Sequence, residues 1–221
     1  MPHRSVPLVG LVGGVGSGKS AVADAVAVAM RGVVIRADET GHRALKQPSI
    51  QRRLKETFGK QVVDSNGEVD RKFLANLVFG SSPEATGNRE KLNAIVHPWI
   101  RSQHLREIER LETTGECEVI FLDAPVLLEA GWQDVCDVIA FIDVPRELRL
   151  QRVAARGWDE AELTRREASQ LPLDEKRTRS HVVIDNSGTV EAAAQALSHY
   201  IQSFISPSPL NQPVEVGTSA I

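Results

Sequence analysis

The chain has 221 residues, 42% hydrophobic and 25% charged, with a formal net charge of −3. That length supports one sizeable core with room for insertions, and that charge excludes a generic nucleic-acid binder, so any anion site must be local. The two cysteines, Cys117 and Cys136, form no CxxC pair and border apolar runs, which is the setting of reduced core thiols rather than of a disulfide framework.

The N-terminus, MPHRSVPLVGL, passes almost directly into a strand-like run at 7–13 without the long apolar segment of a signal peptide. A glycine-rich stretch then leads into a helix spanning 19–30, apolar nearly all round, which predicts deep packing. This stretch is short and interrupted by Asp24, so it does not span a bilayer, and a cytoplasmic protein is expected. A second strand follows at 32–37. Residues 40–111 are mostly helical and polar, with a turn at Ser65-Asn66-Gly67, and read as an inserted helical domain.

Further strands are predicted at 118–124, 137–144 and 181–186. All five strands are rich in Val and Ile without clean polar alternation, as expected for a parallel sheet buried on both faces by helices. Residues 157–180 are charged, with Arg165, Arg166, Lys176, Arg177 and Arg179, and lie where a mobile lid can hang. The last helix puts Val190, Ala194, Leu197, Ile201 and Phe204 on one apolar stripe. The Pro/Ser-rich tail, 206–221, is expected to be disordered. The expected division is a nucleotide-binding core (1–39, 112–156 and 181–205), a helical substrate domain (40–111) and a lid (157–180).

The segment Gly13-Gly14-Val15-Gly16-Ser17-Gly18-Lys19-Ser20 satisfies G-x-x-x-x-G-K-[ST] in full, with a strand before it and a helix after it. Glycines let backbone N–H groups turn toward phosphate oxygens, and the helix N-terminus adds positive potential. Lys19 supplies charge to the β- and γ-phosphates, and Ser20 a hydroxyl for Mg²⁺. Gly14 to Ser20, with Ala21 after them, are the expected ATP-binding run. The motif implies a P-loop NTPase fold with a five-stranded parallel sheet. It does not choose among kinases, switches and ATP-driven machines. No Asn-Lys-x-Asp stretch is present, which speaks against a guanine switch. The insertion and basic lid suit a small-substrate kinase, where water must be shut out.

Asp38 is predicted at the C-terminal end of the second strand, the edge that faces ligands in open parallel sheets. It is a candidate base for a substrate hydroxyl, or Asp38 or Thr40 is simply a helix N-cap. Arg36, two residues earlier on a strand, is expected beside Asp38, holding its pKa down. Its role is either a contact to an acceptor phosphate or a structural ion pair. Asp123 ends an apolar run, where it either supports Mg²⁺ through water or caps the strand. The helix after Pro145 places Arg149, Arg152 and Arg156 on one face. Arg152 and then Arg156 are expected at the phosphates, with Arg149 solvated.

The chain resembles the dephospho-CoA kinase family from about residue 7 to 200. The resemblance lies in GLVGGVGSGKS, VVIRADE, NGEVDRKFLANLVF, LNAIVHPWI, APVLLE, the paired Arg152 and Arg156, and VIDNSG. It implies transfer of the ATP γ-phosphate to the 3′-hydroxyl of dephospho-CoA, the last step of coenzyme A synthesis. Asp38 is then the base, Lys19 and Arg152 stabilise the transferred charge, and Ser20 holds Mg²⁺. Asn186 would lie near the adenine of ATP. Arg71, His97 and Glu129 match positions implied to serve the acceptor, although a His-Pro step suits a structural role equally well. ATP and dephospho-CoA are the implied partners, with no nucleic acid or membrane and a monomer by default.

Three positions depart from the family pattern. Val12 stands for its usual Thr, Arg36 for an Asp, and Ser180-His181 for Ala-Asp. None removes a phosphate ligand or the implied base. Another P-loop kinase with a nucleoside or nucleotide acceptor, or a non-catalytic nucleotide-binding regulator, would carry the same phosphate loop.

Overall fold

A computed structural model describes residues 4–64, 66–79 and 82–205; the expected disordered tail and Ser65 of the expected turn lie outside them. Five strands, β1 (Leu8–Gly13), β2 (Gly32–Arg36), β3 (Val119–Asp123), β4 (Val138–Asp143) and β5 (Val182–Asp185), form one sheet. Their order is β2-β3-β1-β4-β5, and every pairing is parallel.

Successive strand side chains point to opposite faces, and here both faces are apolar. Val9 and Leu11 of β1, Val119 and Phe121 of β3, and Val138, Ala140 and Ile142 of β4 pack with helices α1 (Lys19–Ala29) and α9 (Val190–Ile205). Leu8 and Val12, Ile120 and Leu122, and Ile139 and Phe141 pack on the other side with Leu127, Trp132 and α5 (Pro83–Thr114) through Ile108 and Leu111. This explains why the strands lack alternation in the sequence.

A third apolar cluster lies away from the sheet. It joins Ala44 of α2 (Ala37–Leu45), Ile50 and Leu54 of α3 (Pro48–Phe58), Leu74 and Val78 of α4 (Arg71–Val78), and Ile95 and Val96 of α5. Asp70 caps α4 by accepting from the N–H groups of Lys72 and Phe73. Near the expected turn, the Asp64 side chain accepts from the N–H groups of Asn66 and Glu68, and Val63 bridges Val69 antiparallel. The long α5 carries Pro98 inside it and contributes to both this cluster and the sheet's second face.

Three expectations need correction. Helix α1 is buried on one face only, through Val22, Ala23, Val26 and Ala27, while Val28 is 85% exposed. A helix in an outer layer has no partner on its far side, whatever its composition. The edge strands are also less buried than predicted: Val33 and Val34 are half-buried, and Val183 is exposed. The stripe on α9 ends at Ile201, since Phe204 is exposed.

The remaining helices are α6 (Arg146–Ala154), α7 (Glu160–Glu167) and α8 (Leu173–Thr178). Strand β2 stops at Arg36, and α2 begins at once, so Asp38 stands in the first helical turn.

Candidate active site

The loop between β1 and α1 is shaped by glycines. Gly16 and Gly18 both adopt φ of 81°, and a Cβ on Gly18 would lie 2.7 Å from Asn186 Nδ2. Two groups grip this loop from behind. Asn186, fully buried, donates from Nδ2 to the Ser17 carbonyl at 2.7 Å, while Arg152 donates to the same carbonyl at 3.3 Å and to the Asn186 carbonyl at 2.8 Å. Inside the loop, Lys19 Nζ donates to the carbonyls of Gly13 and Gly14 at 3.2 and 3.3 Å. Burial lowers the Lys19 pKa to about 8, against the opposing pull of Asp123.

Next to this loop the parallel order places β3 and then β2. Asp123 at the end of β3 accepts from the Ser20 hydroxyl at 2.5 Å. Asp38 faces the same cavity as the loop, and its pKa is raised, first by burial and then by Asp123; His42, Lys19 and Arg166 pull the other way. Arg36 is not among these influences. It pairs instead with Asp24 on α1 and with Glu39. The expected lowering of the Asp38 pKa by Arg36 is therefore overturned, because the chain leaves the strand path at Arg36 and turns Asp38 to another side. The capping alternative for Asp38 and Thr40 fails too: Arg36 occupies the N-cap position, and no side chain caps α2.

The cavity measures about 600 Å³. Its lining joins the loop from Val15 to Ala21 with Asp38, Asp123, His97 and Arg156, so one space brings together most of the predicted site. Burial lowers the pKa of His97. Two residues predicted for the acceptor side lie elsewhere. Arg71 bonds His42 Nε2 at 3.0 Å beside a smaller recess that shares His42 and Leu45 with the main cavity. Glu129 is absent from the cavity lining and pairs with the buried Lys176 at 3.1 Å. Arg152 and Asn186 are part of the loop's support rather than of the cavity lining.

Arg149 is the clearest correction. Expected to be solvated, it is 3% exposed and sits behind the loop, paired with Glu167. The spacing of the arginines, three and then four residues, placed them on one face, but not which side that face meets.

The cavity also holds residues that sequence reasoning did not place there. Arg166 of α7 stacks on Trp158 at 3.9 Å and lies 5.2 Å from the Phe79 ring. Arg101 lies over Trp132 at 4.8 Å, and His104 packs beside that ring, its pKa lowered to about 4 by burial and by Arg43. The only sequence signal for Arg166 was its place in a basic segment.

The family model for dephospho-CoA kinase matches residues 7–192. The chain is 35% identical over 205 residues to the dephospho-CoA kinase of Carboxydothermus hydrogenoformans, covering 90% of this chain and 95% of that one. It is 38% identical over 192 residues to the dephospho-CoA kinase of Geobacillus kaustophilus, covering 86% and 92%. Among solved structures, TT1252 from Thermus thermophilus superposes with a TM-score of 0.74 at 33% identity, covering 90% of this chain and 98% of that one.

Proposed function

The chain belongs to the dephospho-CoA kinase family, and on that premise we propose that it transfers the γ-phosphate of ATP to the ribose 3′-hydroxyl of dephospho-CoA, giving coenzyme A and ADP. The carrying observation is that a complete phosphate loop and a carboxylate of raised pKa, Asp38, face one cavity. Phosphoryl transfer needs chiefly positioning and charge stabilisation. The loop amides and Lys19 hold the phosphates, and Arg156 adds a cation at the cavity. Arg152 and Asn186 hold the loop in shape. Asp38 accepts the hydroxyl proton, and its raised pKa makes it a better acceptor than an ordinary carboxylate.

The Ser20 hydroxyl and the Asp123 carboxylate form a pair of hard oxygen donors, which suits Mg²⁺ held mainly by phosphates and water. When bound with ATP, the ion would offset charge on the β- and γ-phosphates. We assign residues 40–111 to acceptor binding, with His97 and Arg71 on that side, and residues 157–180 to a lid whose Arg166 lines the cavity. No helix among the described residues is long and apolar enough to cross a membrane, and the proposed setting is the cytoplasm.

Mass spectrometry of dephospho-CoA incubated with ATP, Mg²⁺ and the protein tests this reading. A gain of one phosphate, lost in Lys19→Ala, is expected; phosphorylation of a nucleoside instead, or no product, would overturn it.

A further inference from the structure

Arg149 is a charged residue with almost no access to water. Its guanidinium spans three parts of the molecule. Nε donates to the Val144 carbonyl beyond β4 at 3.2 Å, and Nη1 donates to the Val15 carbonyl of the phosphate loop at 3.3 Å. The same nitrogen pairs with Glu167 at the end of α7. The fit is close, since a Cβ added to Gly14 would lie 2.9 Å from Nη1. A buried guanidinium is tolerated only where its charge and hydrogens are satisfied, and these partners come from the loop and from the proposed lid.

In a trans peptide the carbonyl and the following N–H point in opposite directions. Arg149 holds the Val15 carbonyl on the rear side of the loop, which turns the Gly16 N–H away from it. Arg152 and Asn186 act in the same way on Ser17, turning the Gly18 N–H. Gly16 and Gly18 both line the cavity. Such inward amides are what a phosphate loop offers to phosphate oxygens. Glu167 adds a second link, because its chain neighbour Arg166 lines that cavity from α7.

We propose that Arg149 is a positioning residue that sets the Val15–Gly16 amide for ATP and, through Glu167, makes that setting depend on the position of α7. The proposal rests on the loop being the ATP site and not on the identity of the acceptor.

The test is calorimetric titration of the full chain with Mg²⁺ and ATP, without acceptor, together with KM for both substrates. Arg149→Gln is expected to weaken ATP binding and raise the ATP KM about tenfold, while the dephospho-CoA KM moves by less than about twofold. Arg149→Lys keeps the charge beside Glu167 but lacks the fork that reaches both carbonyls, so it recovers only part of the loss. Glu167→Gln weakens ATP binding by about threefold, and adding it to Arg149→Gln costs little more, because the two act as one unit. A lower Tm with unchanged ATP affinity in Arg149→Gln would show a purely structural residue and overturn the proposal. Additive losses in the double variant would overturn the link to α7. If Arg149→Gln does not fold, Glu167→Gln on the partly exposed helix decides, with unchanged ATP affinity counting against the proposal. The titration contains no acceptor, so failure to phosphorylate dephospho-CoA would overturn the acceptor assignment alone.

Discussion

The Ser20 hydroxyl donates to the Asp123 carboxylate, joining the first turn of α1 to the end of β3. Since β3 lies between β1 and β2, Asp123 ends midway between the phosphate loop and the helix that carries Asp38. It raises the Asp38 pKa and opposes the fall in that of Lys19. Asp123→Asn should therefore have two separable effects. The Mg²⁺-dependent kcat should fall on the order of 100-fold, as for loss of a group that holds charge at the transition state. The acidic limb of the residual activity should also move to lower pH, because a neighbouring negative charge has gone. Rates measured against Mg²⁺ and pH check both.

Asp38 carries the next prediction. As the proposed base it works only when ionised, so activity should fall as pH drops through its pKa. Because burial and Asp123 raise that pKa, the acidic limb should lie above the ordinary carboxylate range. Asp38→Asn should lower kcat by about 100-fold or more with little change in the ATP KM. Arg36→Ala should leave the limb in place, since Arg36 meets Asp24 and Glu39 instead. These pairs are partly exposed, so the substitution should cost less than about 1 kcal/mol. A limb displaced in Arg36→Ala would contradict the geometry.

Lys19 is held near pH 8 by burial. Above that value the free protein loses the charge proposed to meet the phosphates, so ATP affinity should fall as pH rises through about 8. The sign for stability is the reverse of the usual paired lysine. Below the folded pKa the lysine is charged in both folded and unfolded chains, and the folded chain bears the full burial penalty. Between the folded and the ordinary unfolded pKa the unfolded chain holds more protons, so stability gains with pH. Lys19→Met should therefore abolish turnover yet raise Tm at neutral pH by about 5 °C, less what the lost bonds to Gly13 and Gly14 offset. The advantage should shrink as pH rises from about 8 and vanish only above about 10.5, where Lys19 is neutral in the unfolded chain as well. Calorimetric melts across pH measure this directly.

Local chemistry is what the sequence made legible. Each of the five strands lies within its expected span, because a Val/Ile run between turn residues encodes a buried parallel strand without help from distant residues. The phosphate loop was legible for the same reason, its function being in its own backbone. What depended on partners far along the chain was not. Arg149 and Glu167 are 18 residues apart, and nothing in either segment announces that they meet. Arg36 was misread because one residue of early helix redirects every side chain after it. Trp132 and Arg101 come together only when α5 packs with Trp132 on the sheet's second face.

Glu129 illustrates the same limit and can be tested sharply. Lys176 is 1% exposed, donates to the Pro125 carbonyl and Gln170 Oε1 at 3.1 and 2.8 Å, and pairs with Glu129. Glu129 also accepts from the Leu171 N–H at 2.8 Å, which fastens the segment before α8 to the core. Burial lowers the Lys176 pKa, and Glu129 opposes that fall. Removing the carboxylate leaves a buried ammonium without its counter-charge, so Glu129→Leu should cost about 3 kcal/mol in urea unfolding. Replacing both, as Glu129→Leu with Lys176→Met, should recover a good part of that loss, because no unpaired charge then remains. Glu129→Gln keeps an acceptor for Leu171 and should fall between the wild type and Glu129→Leu. The sequence placed Glu129 at the acceptor, and that role makes the opposite prediction. A contact to dephospho-CoA would raise the acceptor KM in Glu129→Gln at unchanged stability, and the pairing with Lys176 would lower stability first and leave KM close to wild type.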